Sequence, residues 1–209
     1  MRLFLRETWI MTRMLFLVFA VLAPGAVAGV LAISAHGAKE GNPKPDVPDH
    51  LRGRPSSLYE RVKDKIVEAP PELLKLAQSY PSFAEKGKIF KGRRITIMAE
   101  KDRYKVRERV RLVHVLEAVD KGLKVYVMGP KPVYDEYVDG KNMCPKPDDA
   151  AGVYDGRVLS SPAVDFHHDI TSYTFGTPGK HSIQWKGGGH PIEGDLGIES
   201  NVLTIVVVE

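Results

Sequence analysis

Within Ala163 to Val208, two runs of apolar and polar side chains alternate with the period of two that a half-buried strand requires. Thr171, Tyr173 and Phe175 share one face, with Ser172 and Thr174 on the other. After the turn signal Pro178-Gly179, His181, Ile183 and Trp185 share a face opposite Ser182 and Gln184. Val202 to Val208 is β-branched and nearly continuous, as a strand inside a sheet can be. The pattern predicts strand, turn, strand, loop and closing strand, half of a two-layer antiparallel sandwich. A lone hairpin on an α+β scaffold would carry the same turn signals. Upstream, Arg94 to Glu100, Tyr104 to Val119 and Lys124 to Met128 read as further strands. In the long one the apolar parity changes near Val113, which predicts a bulge or bend. Tyr134 to Pro162 is polar and rich in Gly and Pro, and is expected to be an irregular excursion with one short strand around Val153 to Leu159.

The pattern changes before residue 93. Ser57-Leu-Tyr-Glu60 has the form of a capping box, and Tyr59, Val62, Ile66 and Val67 follow at helical spacing. Pro70-Pro71 would end that helix and start a second, with Leu73, Leu74, Leu76, Ala77 and Tyr80 as its apolar side and Pro81 as its stop. Two such short helices do not stand alone, so they are expected to dock on the β domain, with a partner protein as the alternative. His36 to Pro55 reads as a solvated Pro/Gly tether. Ahead of it, Arg2, Arg6 and Arg13 precede an uncharged run, and Ala26-Val-Ala28 offers small residues at a cleavage site. The alternative is an uncleaved anchor over residues 14–35, 22 residues without charge, enough to cross a bilayer core of about 30 Å. The expected order is therefore signal peptide 1–28 or anchor 14–35, linker 36–55, helical segment 56–92 and β-sandwich 93–209. Either reading of the N-terminus places the remainder outside the cytoplasm, in the periplasm or beyond, or held at the inner membrane.

Among 209 residues there is one cysteine, Cys144, so no disulfide can staple the chain within itself and the sandwich must hold by packing. A net charge of +4 is too mild to argue for nucleic acid, which export and the lack of interleaved aromatics also disfavour. The charge is unevenly laid out. Lys86 to Arg111 holds eleven basic residues against three acidic ones, and Tyr134 to Asp169 eight acidic against three basic. Lys105, Arg107, Arg109 and Arg111 fall on one parity, and on one strand would form a basic ladder for an anionic glycan, anionic lipid head groups or an acidic envelope protein. The same ladder could instead meet the acidic excursion of its own chain, or that of a second copy.

Candidate chemistry is sparse. On a continuous strand Asp165, His167 and Asp169 would face one side, opposite Phe166, His168 and Ile170. With His190 from the glycine loop they make an N/O donor set for a transition metal; a polar surface with a buried His168 is the plainer reading. Cys144 beside Met143 could take copper(I) or pair with another chain's thiol, or simply be a half-covered loop cysteine. The acids of 134–155 do not follow the calcium-loop ladder. No Gly-x-Ser-x-Gly, phosphate-cradling glycine loop or His-Glu-x-x-His is present. No catalytic constellation and no cofactor is expected.

The runs Pro178-Gly-Lys-His-Ser-Ile-Gln-Trp185 and Ser200-Asn-Val-Leu-Thr204 resemble bacterial immunoglobulin-like or fibronectin III-like accessory domains of exported proteins. The resemblance covers at most Arg94 to Glu209 and implies an all-β immunoglobulin-like sandwich that binds rather than catalyses. It also implies a structural role for His181, at the place where such sandwiches often carry a corner tyrosine bonded back to the backbone. The expected function is an exported interaction module of the cell envelope, using Lys105, Arg107, Arg109, Arg111 and the long loop. A metal-binding protein and a self-associating structural subunit are the alternatives.

Overall fold

The computed structural model describes residues 47–52, 55–63, 65–147, 156–187 and 196–209. In chain order the elements are helix α1 (Asp49–Arg52), strands β1 (Tyr59–Val62) and β2 (Lys65–Glu68), helix α2 (Pro71–Gln78) and a 3-10 turn at Tyr80–Ser82. Strands β3 (Arg93–Ala99), β4 (Arg103–Lys105), β5 (Arg109–Ala118) and β6 (Lys124–Val127) follow. Then come β7 (Glu136–Val138), β8 (Lys141–Asn142), β9 (Arg157–Ser160), β10 (Ala163–Asp165), β11 (Thr171–Thr174), β12 (Gly179–Trp185) and β13 (Leu203–Val208). The described chain is all-β with a small helical layer. The candidate signal and anchor, 1–28 and 14–35, lie outside the described residues, and among the described ones no helix is long and apolar enough to cross a membrane.

The strands make two main sheets. In the first, β5 is central: β3 pairs along one edge, and β10 and then β11 share the other. The second has the order β4-β13-β12-β7-β8, with β4 parallel to β13 and the other neighbours antiparallel. Inner faces of both sheets feed one core: Ile95 and Ile97, Val110, Leu112 and Leu116, Ile183 and Trp185, Ile205 and Val207. Ile183 and Trp185 are buried, as the alternation of that strand predicts. A further pair, β6 with β9, extends the core through Val125 and Val127.

The outer face of the first sheet is covered too. Met98, Val113 and Val115, on the opposite parity, pack against Leu73 and Ala77 of α2, Tyr80, and Leu51 of α1. This double burial, not a bulge, is why the apolar parity of the long strand changes near Val113. From Ala99↔Leu112 to Arg93↔Ala118 the register with β3 is unbroken. α2 forms where expected and docks on the sheet. Residues 47–52, expected to belong to the solvated tether, pack here as well, with Leu51 buried.

The helix expected over 57–67 is a hairpin. β1 and β2 pair antiparallel from Tyr59↔Glu68 to Val62↔Lys65, and the Ala69 N–H donates to the Leu58 carbonyl at 2.9 Å. Val62, Ile66 and Val67 favour an extended backbone, and Lys63 turns the chain at φ 47°. Over so short a window the apolar spacing fits either period. The irregular excursion also holds structure: β7 and β8 form a hairpin through Asp139-Gly140, both at positive φ (50° and 80°), and join the second sheet beside β12.

Candidate functional site

Among the described residues ten polar or charged side chains are buried, and six of them sit in two interior clusters or on the outer clamp described below. In the first cluster His114 of β5 meets Glu136 of β7 at 2.7 Å, so one ring nitrogen joins the two sheets through the core. The other Glu136 oxygen accepts a very short hydrogen bond from the Tyr173 hydroxyl, which also lies 3.9 Å from the Cys144 thiol. Burial acts to raise the Glu136 pKa, but the His114 charge and the bonds from His114 and Tyr173 outweigh it and hold it below the usual carboxylate range. The Tyr173 phenol is pushed far up by burial and by that carboxylate, and the Cys144 thiol is pushed up mainly by burial. A protonated thiol is a poor nucleophile and a poor metal ligand.

The second cluster is built on Lys131. Its Nζ reaches Asp165 Oδ2 at 2.7 Å and donates to the Tyr126 carbonyl at 2.9 Å. The other Asp165 oxygen accepts from the His167 backbone N–H and contacts His167 Nδ1, both at 2.9 Å. Burial would raise the Asp165 pKa; the His167 bond and the Lys131 charge reverse this and drive it far down. His168 Nδ1 is 3.9 Å from Asp165, and burial, reinforced by Lys131, depresses its pKa well below the ordinary value, so the ring is neutral. Trp185 lies between the clusters, edge-on to His114 and His168, each at 5.0 Å between centroids.

A separate clamp fixes the outer layer. Glu117 of β5, 1 % exposed, takes Arg94 Nε at 2.6 Å, the Tyr80 hydroxyl at 2.7 Å and His50 Nε2 at 2.9 Å. Burial pushes its pKa up, and the bonds from Arg94, Tyr80 and His50 pull it down further than that. One carboxylate thus ties α1, the 3-10 turn and β3 to the central strand.

The residues expected to bind a partner do not share a strand. Lys105 ends β4 in the second sheet, Arg107 is in a turn at φ 63°, and Arg109 and Arg111 open β5 in the first sheet. Arg109 and Arg111 both approach Glu60 of the β1–β2 hairpin, at 3.8 and 3.7 Å. Lys105 and Arg107 are exposed. Lys105 stands with Arg103 on the edge strand β4, where such charges guard against edge-to-edge pairing.

The Asp/His face is divided as well, because the strand breaks at residues 166–170. Phe166 and Ile170 join the outer core while His168 turns inward to Trp185, so these three do not share a face. Asp165 is engaged by Lys131 and His167, and Asp169 pairs with Arg61 at 3.4 Å. His190 lies outside the described residues. Among the described residues no three metal-ligating side chains converge. His181 stacks on Phe175 and meets Asp139 Oδ2 at 2.8 Å, bracing the β7–β8 turn rather than bonding back to a corner backbone.

The surface concentrates elsewhere. Phe90 and Arg93 exchange backbone hydrogen bonds at 2.7 and 3.0 Å around Lys91-Gly92, both at positive φ. The Val119 N–H donates to the Gly92 carbonyl at 2.8 Å, setting the 119–123 turn beside this one. Ile89 is 55 % and Phe90 46 % exposed, between exposed Lys88 and Lys91. A cleft of about 420 Å³ opens behind Phe90, lined also by Lys86, Lys88, Gln184, Glu199 and Val202, with Val202 55 % exposed. Glu199 is matched by Lys186 at 2.9 Å. This end was legible only as part of a basic run; Ile-Phe set between lysines was its signal. Comparisons of the chain with protein-family models, curated proteins and solved structures found no match.

Proposed function

We propose that the chain is an exported interaction module of the cell envelope, of immunoglobulin-like architecture, which holds an anionic or protein partner at its surface. Two sheets sharing one core, antiparallel except for the β4–β13 pair, with the opening segment passing from β3 in one sheet to β4 in the other, support the immunoglobulin-like reading. The buried titratable groups described above are paired with one another inside that core, which suits a scaffold more than a reaction centre. The observation that carries the reading is the cationic and apolar end at Lys88-Ile89-Phe90-Lys91 with the cleft behind it. Cations there attract an anionic partner, and exposed apolar side chains beside them give it something to bury.

Retention on an immobilised anionic polymer tests this. The wild-type chain is expected to be retained at low salt and released as ionic strength rises. K88E/K91E should abolish retention and K105E/R107E should leave most of it. Retention that ignores salt, or that is lost only in K105E/R107E, contradicts the assignment.

A further inference from the structure

We infer that the Lys88–Lys91 turn docks on a lipid bilayer containing anionic headgroups, with Ile89 and Phe90 entering the boundary between headgroups and acyl chains. The inference rests on the reading of this end as the contact surface and names its partner. Three features favour a bilayer over an acidic protein or glycan.

The first is composition. An acidic polymer would be served by the lysines alone and leaves Ile89 and Phe90 without a use, whereas an interfacial anchor needs a short apolar insert flanked by cations. Val202, lining the same cleft as Phe90 and also exposed to water, widens the apolar contact.

The second is presentation. The turn is held by the paired Phe90–Arg93 bonds and by the Val119 N–H on Gly92, so its two apolar side chains are offered with little left to order on binding.

The third is charge. Exposed Lys121 belongs to the neighbouring turn and exposed Lys124 opens β6 just after it, where Arg93 reaches the Lys124 carbonyl at 3.3 Å, so cations flank the insert on both sides. Asp120 beside Gly92 is the acid within this group. Lys91 Nζ lies 5.0 Å over the Phe90 ring, and its long stem lets it stay with the headgroups as the ring sinks.

The test is F90W in the full chain, with vesicles of neutral phosphatidylcholine and of phosphatidylcholine mixed with phosphatidylglycerol, both carrying acyl-brominated lipid. The indole introduced by F90W reports depth at this turn alone, whatever residues 14–35 do, once the emission of the wild-type chain with its Trp9 and Trp185 is subtracted. We expect a blue shift and strong quenching in the anionic vesicles, at least tenfold less binding to neutral ones, and loss of the signal in F90W/K88E/K91E. No quenching in anionic vesicles overturns the proposal, as does equal quenching in neutral vesicles or after K88E/K91E. If quenching is absent while K88E/K91E still abolishes retention on the anionic polymer, the bilayer is wrong and the contact surface stands. If that retention is absent as well, both fall.

Discussion

Lys131 and Asp165 hold an ammonium and a carboxylate 2.7 Å apart, 1 % and 0 % exposed. Desolvating both is costly, and what remains after one is removed is a buried charge without its match. K131M is therefore expected to destabilise by about 3–5 kcal/mol, and K131M/D165L to recover much of that, read from denaturant midpoints. Simple additivity of the two substitutions would show that the pair does not act as a unit. His168 gives the pH dependence its upper edge. Its folded pKa is depressed, with Lys131, Asp165, His114 and His167 around it, so the unfolded chain binds the proton first. Stability should begin to fall below about pH 6.5, with a slope approaching about 1.4 kcal/mol per pH unit, and H168Q should flatten that slope. Asp165, Glu136 and Glu117 are depressed carboxylates; their contribution is present above about pH 4 and is lost as pH falls further. Asp169, raised by burial against the pull of Arg61, works weakly in the opposite sense.

Among the elements, α2 and the β1–β2 hairpin differ in how firmly they are held. Leu73 of α2 is fully buried against the outer face of the first sheet, and Leu73→Ala should cost about 2–5 kcal/mol. Tyr80→Phe removes one of three donors to Glu117 and should cost about 1–3 kcal/mol. The hairpin buries only Glu60 of its described side chains and leaves Tyr59, Val62, Ile66 and Val67 exposed, so its amides should exchange with solvent well before those of β5. Strands with a clean period, β12 and β13, were legible because one face is wetter and the other dry. β5 was misread because both faces are dry, and alternation carries no information when a helix covers the outside. The β7–β8 hairpin had a signal, Asp139-Gly140, that the polar composition around it obscured. The hairpin at 59–68 had conflicting signals, a capping box against β-branched residues, and tertiary attachment through Glu60 decided.

Across the whole molecule the separation is between interior and surface. His114–Glu136 and Lys131–Asp165 hold the all-β core from within, and no local sequence pattern marks either, since each pair is brought together only by the fold. The basic residues that looked like one ladder are dealt to two sheets and partly spent on Glu60, while at the Phe90 end exposed Ile89 and Phe90 lie between exposed Lys88 and Lys91. Hydrogen exchange of the intact chain with and without anionic vesicles addresses this most directly. The account predicts new protection confined to residues 86–93 and 119–124. Protection along residues 103–111 instead, or on the Trp185 core alone, would contradict it.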